Sequence, residues 1–84
     1  MKVYIDHGAT TPVDPEVAKA ITPIFTKNFG NASSLHDFGQ KARNLLENSR
    51  KTIAKKLNAD PCEIVFTSGG SESNNLAIKG VAQA

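Results

Sequence analysis

Hydrophobic positions change their spacing along the chain, and each spacing predicts an element. Val3 to Ile5 and Ile64 to Thr67 are short β-rich apolar runs, read as strands. Val17, Ala20, Ile21, Ile24 and Phe25 recur at helical intervals and make one apolar face. Asp14-Pro15-Glu16 starts that helix with an N-cap, a proline at the first helical position and an acid facing the positive end. Pro23 lies inside the run and predicts a kink or an early stop. A longer helix follows, with Ala42, Leu45, Leu46, Ile53, Ala54 and Leu57 on one side and most of its lysines and arginines elsewhere. Ser34 is the expected cap, with Asp37 in a capping-box-like role. Gly39 should weaken the first turns by roughly 1 kcal/mol relative to alanine. The expected length is about 22 residues, or about 33 Å. Asn58-Ala59-Asp60-Pro61 then turns the chain into the run at Ile64.

The stretch from Glu63 to Val81 is the most informative. The run Ile64 to Thr67 breaks at Ser68-Gly69-Gly70, where backbone dihedrals closed to other residues are available. Ser71 is a natural N-cap, and Leu76, Ala77, Gly80 and Val81 return at roughly helical spacing. Strand, glycine turn and helix in that order leave first-turn amides without intrahelical partners. They carry about half a positive elementary charge and suit an anion, above all a phosphate. An ordinary capped turn fits the same residues. The Gly-Lys-Ser/Thr ending of a Walker A loop is missing. The nucleophile elbow is missed by one residue, Ser73 for glycine, and no His or Asp follows Ser71 to complete a triad.

Composition narrows the field. With 84 residues and a formal charge of +2, the chain makes one small domain at most. A chain this short buries only about 60–65% of its extended surface. No apolar run approaches the roughly 20 residues of a membrane span, and Asp6 interrupts the N-terminal apolar run. The single Cys62 forms no internal disulfide and fits a reducing compartment, so a soluble, cytoplasmic protein is expected. The basic residues of the long helix lack interleaved aromatics, and Glu47 interrupts them, which argues against nucleic acid. His7 and His36 are isolated, and no metal site is expected. A central α/β strand needs neighbours on both edges, and these few elements close no core. The expectation is therefore the beginning of a larger α/β protein.

Three motifs are similar to those of one family. Val3-Tyr4-Ile5-Asp6-His7-Gly8-Ala9-Thr10-Thr11-Pro12 resembles the N-terminal segment of the cysteine desulfurases. Phe29-Gly30-Asn31-Ala32-Ser33-Ser34-Leu35-His36 resembles their Phe-Gly-Asn-Pro-Ser-Ser-x-His loop. Phe66-Thr67-Ser68-Gly69-Gly70-Ser71-Glu72-Ser73-Asn74-Asn75 resembles their Phe-Thr-Ser-Gly-Ala/Gly-Thr-Glu-Ser-Asn-Asn block. Order and spacing match, and the departures are His7-Gly8, Ala32 for proline and Ser71 for threonine.

The resemblance implies a pyridoxal-phosphate enzyme of fold type I, aspartate aminotransferase-like and incomplete in these 84 residues. Residues 1–13 would associate with the small domain and residues 14–84 would begin the large cofactor-binding domain. Gly70 and Ser71 take the family's phosphate-contacting positions, and the loops at Ala9 and His36 approach the substrate pocket. The implied substrate is L-cysteine, converted to L-alanine while sulfur passes to an enzyme cysteine for iron–sulfur clusters or thiolated transfer RNA. The implied partners are a sulfur acceptor or scaffold protein and, at full length, a second copy of the chain. A selenocysteine lyase or another class V member would share these motifs, and a non-catalytic truncated interaction fragment is the non-enzyme alternative. The cofactor-anchoring lysine, the ring aspartate, the substrate arginine and the persulfide cysteine all lie in the family beyond this stretch, so no catalytic residue is assigned. Lys79 and Cys62 are not their equivalents. The 84 residues alone are expected to release no sulfide from cysteine. A sulfide assay on the purified chain with pyridoxal phosphate checks this, and cysteine-dependent release would refute it.

Overall fold

The computed structural model describes residues 1–84 and holds three α-helices and one short 3-10 turn. Helix α1 spans Pro15–Thr26, α2 spans Asp37–Lys56 and α3 spans Gly70–Gln83, with the 3-10 turn at Pro61–Glu63. Two compact units divide it, Met1–Leu46 and Glu47–Ala84, with the boundary inside α2.

Helix α1 begins as its sequence predicts. Asp14 caps it, its Oδ1 accepting from the Glu16 amide at 2.8 Å, with Pro15 in the first turn. The helix passes through Pro23 and runs on to Thr26. Pro23 has no amide to offer the Lys19 carbonyl. Its own carbonyl accepts from Lys27 and Asn28 at 2.8 and 3.0 Å, which closes the end. The apolar face is present, but nothing in the unit covers it: exposure runs from 39% at Ile21 to 74% at Phe25.

Helix α2 starts differently from expectation. The His36 carbonyl accepts from Gln40 at 3.0 Å, and its ring Nδ1 accepts from the Gly39 amide at 3.2 Å. His36 is therefore the cap, with its Nδ1 taken as the acceptor from the bonding pattern. Ser34 lies too early. Its carbonyl packs against Gly39 so closely that a Cβ there would sit 2.1 Å from the oxygen. Gly39 is thus a close-approach residue, beyond the weak helix former its propensity suggests. Gly30 is another, since its Cβ would lie 2.2 Å from the Phe38 carbonyl oxygen.

The helix is 20 residues long and ends in a Schellman motif. Asn58 donates to Lys55 at 3.3 Å and Ala59 to Ala54 at 2.9 Å. Asn58 takes φ 54°, in the left-handed region. Lys55 and Lys56 occupy the last turn, where the helix dipole favours cations. The 3-10 turn follows, its Asp60 amide bonded to Glu63 Oε2 at 2.7 Å.

Neither β-type run pairs, and no residue forms a strand. Ile64 has extended dihedrals, φ −97° and ψ 124°, so the local preference is expressed without a ladder. A strand is completed by a neighbour's amides and carbonyls, and these runs have none. The α/β layering expected from the sequence is therefore absent from these 84 residues, which are helical. The core is correspondingly small, with Ala54 its one buried hydrophobic residue, 1% exposed.

Asn58→Ala is expected to cost about 1 kcal/mol, because alanine resists the left-handed region. Asn58→Gly should stay near wild type. Urea melts of the two variants check the pair, and equal costs would refute the conformational account.

Candidate functional site

Helix α3 begins two residues earlier than a cap at Ser71 would place it. Gly69 is its N-cap and Gly70 its first residue, so Ser71 is a second helical residue and not the cap. Gly69 is extended, φ 169° and ψ −179°, and no glycine has a left-handed φ. The turn does not require glycine for its dihedrals. A Cβ built on Gly69 or Gly70 meets nothing within 4 Å, so both residues border open space.

The first intrahelical bond runs from the Ser73 amide to the Gly69 carbonyl at 3.1 Å. The amides of Gly70, Ser71 and Glu72 precede it and have no acceptor in the chain. The Ser71 hydroxyl is also without a partner, while its carbonyl accepts from Asn75 Nδ2 at 2.8 Å. Convergent amides with one hydroxyl form a donor set for an anion, and the small glycines leave it room to approach. A phosphate group fits this set.

Side chains hold the turn from both ends. Glu72 Oε2 accepts from the Ser68 amide at 2.9 Å and from its hydroxyl at 2.6 Å. The Thr67 hydroxyl donates to the Gly69 carbonyl at 3.1 Å and lies 2.6 Å from Ser73 Oγ. Glu72 is the acid of the first turn, stabilised by the positive helix end. Its oxygen takes the Ser68 donors and leaves the helical amides free. The hydrogen bond from the Ser68 hydroxyl, then that from the amide, holds the Glu72 carboxyl below its ordinary pKa, against a smaller upward push from desolvation. None of these four side chains stands out as a supporting group in the sequence. The available signal was an acid in the first turn after Ser68.

Arg50, one of the basic residues of α2, makes three contacts. Its Nε contacts Glu47 Oε2 at 3.2 Å, its Nη1 donates to the Ile64 carbonyl, and its guanidinium lies 4.9 Å from the Phe66 ring centroid. A helical arginine therefore grips the segment that leads into the glycine turn.

The other candidates lie in the first unit. Ala9 closes a turn, donating to the Asp6 carbonyl at 3.0 Å. The Tyr4 hydroxyl lies 2.9 Å from the Thr10 carbonyl and 2.5 Å from its hydroxyl, and the Tyr4 ring meets His7 edge-on at 5.0 Å. His7 thus belongs to a local turn cluster. His36 lines an open concavity of about 370 Å³ with Phe29, Asn31 and Phe38. Phe29 and Phe38 stack at 6.2 Å, and Arg43 Nε holds the loop by the Ala32 carbonyl at 2.9 Å. Ala9 and His36 occupy separate local structures within this unit. No three His, Cys, Asp or Glu side chains converge to hold a metal, and no helix is long and apolar enough to cross a membrane.

The free-amide turn lies within a stretch matched by a family model. The aminotransferase class-V model matches residues 3–84, and the chain belongs to that family. The chain is 57% identical over 84 residues to a cysteine desulfurase IscS of Methylococcus capsulatus, covering 99% of the chain and 21% of that relative. It is 56% identical over 81 residues to a cysteine desulfurase IscS of Methylobacillus flagellatus, covering 95% of the chain and 20% of the relative. A third, from Dictyoglomus turgidum, is 53% identical over 83 residues, covering 99% of the chain and 21% of the relative. The chain spans about one fifth of the length of these relatives.

The lowered Glu72 pKa fixes the sign of its linkage. Its contribution to stability is full above the ordinary glutamate range and is lost as pH falls through the folded value. The Glu72 carboxyl carbon should titrate by NMR below an unperturbed glutamate, and Ser68→Ala should move the midpoint up. An unmoved midpoint would remove Ser68 as the cause.

Proposed function

We propose that the chain forms the N-terminal part of a pyridoxal-phosphate-dependent cysteine desulfurase. The whole enzyme takes sulfur from L-cysteine, leaves L-alanine and places the sulfur on an enzyme cysteine, for iron–sulfur cluster assembly or transfer-RNA thiolation. The observation that carries this reading is the set of unbonded amides at Gly70 and Ser71, set within a chain so similar to the named desulfurases.

Bound at this turn, pyridoxal 5′-phosphate supplies an electron sink for chemistry at the substrate's α-carbon. The chain's own part is to hold the phosphate. The Gly70 and Ser71 amides would donate to its oxygens, with the positive end of α3 behind them. The Ser71 hydroxyl adds a further donor, and serine serves as well as threonine because the hydroxyl is retained. Glu72 and Thr67 keep the turn in place without occupying those donors. Ala9 and His36 would approach the substrate pocket, with the His36 ring fixed by its bond from the Gly39 amide.

In the whole protein the extended segment at Ile64 to Thr67 becomes a strand of an α/β, fold type I large domain beginning at residue 14, while residues 1–13 associate with the small domain. Uncovered apolar side chains on α1 and α3, such as Phe25 and Val81, agree with burial against further parts of that protein. A cytoplasmic homodimer that hands sulfur to an acceptor or scaffold protein completes the reading.

Ser71→Ala in the full-length protein is expected to weaken retention of pyridoxal 5′-phosphate by about 1–3 kcal/mol, the scale of a hydrogen bond to a charged group. Equilibrium dialysis of the cofactor measures it. Unchanged affinity would take Ser71 out of the site.

A further inference from the structure

We infer that Arg50 is a positioning residue for the phosphate turn, holding the free amides of α3 in register through the segment from Ile64 to Thr67. The inference rests on the phosphate reading of that turn. It starts from a planar side chain engaged in three directions. Arg50 Nε bonds Glu47 within its own helix, Nη1 donates to the Ile64 carbonyl, and the guanidinium face lies over Phe66. Arg50 is half-buried at this junction, with 22% of its side chain exposed.

The contacts continue to the turn without a gap. Ile64 and Phe66 lie on the run that ends at Thr67. The Thr67 hydroxyl reaches the Gly69 carbonyl and Ser73 Oγ, and that carbonyl receives the first helical bond of α3. Displacing the segment at Ile64 and Phe66 therefore moves Thr67, and with it the group that sets where α3 begins. The amides of Gly70 and Ser71 are fixed by that start. The path starts from the part of α2 in the second unit, whose last turn is closed at Asn58 and Ala59.

Lysine cannot replace this residue. One ammonium lacks the planar fork that meets a carboxylate and a carbonyl while lying flat on a ring. Arg43 serves as a contrast. It lies on the same helix and holds the Ala32 carbonyl, in a loop of the first unit.

The test compares two ligands that differ only in the phosphate group. Full-length protein freed of cofactor is titrated with pyridoxal 5′-phosphate and with pyridoxal, and the ratio of the two Kd values is the readout. Arg50→Lys and Phe66→Leu should each shrink that ratio about tenfold, on the scale of one charge-assisted hydrogen bond. The Kd for pyridoxal 5′-phosphate should rise and the Kd for pyridoxal should hold. Arg43→Lys should leave the ratio unchanged. Parallel weakening of both ligands in the Arg50 and Phe66 variants would mark a general structural role and overturn the inference. A ratio kept at its wild-type value in those variants, or lowered equally by Arg43→Lys, would overturn it as well. Equal binding of the two ligands by the wild type would instead overturn the phosphate reading itself, and this inference with it.

Discussion

The governing constraint is a shortage of apolar cover. Ala54 is the one buried hydrophobic side chain, while large residues such as Phe25, Leu35 and Ile78 face outward. Burial drives most folding, so a structure that buries so little rests on short-range hydrogen bonds. Those bonds sit at the element ends. Asp14 caps α1, His36 caps α2, Asn58 closes α2 and Glu72 ties the start of α3 to Ser68. The first three satisfy backbone groups that a helix end leaves open, whereas Glu72 bonds the residue before the cap of α3. Two arginines add reach, Arg43 to the loop at Ala32 and Arg50 to the run at Ile64.

This arrangement leaves the first amides of α3 open. The bonds around the turn go to other donors than the amides of Gly70 and Ser71. Glu72 takes the donors of Ser68, and the Gly69 carbonyl takes those of Thr67 and Ser73. Had the Glu72 carboxylate folded onto the helical amides, the turn would have satisfied itself and repelled an anion. Its placement on the Ser68 side of the turn keeps the positive end of α3 open.

Much of this was legible in the residues. Asp14-Pro15 marked the start of α1 because proline and an acid leave few alternatives there. The apolar periods of α1, α2 and α3 were right, since a helix is completed by its own backbone. The β-type runs were readable as a preference but not as a sheet, because a ladder needs a second strand. The caps at Gly69 and His36 were missed for a related reason. Ser71 and Ser34 are better caps by type, but the glycine turn and the close packing at Gly39 set the boundaries. Arg50 was hidden by distance, as its partner Ile64 lies 14 residues on and a helical arginine reads as solvated. The family motifs located the turn at Gly70 and Ser71, while its buttresses at Thr67 and Ser68 became visible only as contacts.

The glycines of this chain fall into two populations with different histories to tell. Gly30 and Gly39 are pressed against carbonyl oxygens, whereas Gly69 and Gly70 border empty space. A methyl group at the first pair collides with the polypeptide itself, whatever the molecule is doing. A methyl group at the second pair collides with nothing in the chain. Intolerance at Gly30 and Gly39 would thus report on the chain's own packing, whereas intolerance at Gly69 and Gly70 would need a cause outside that packing.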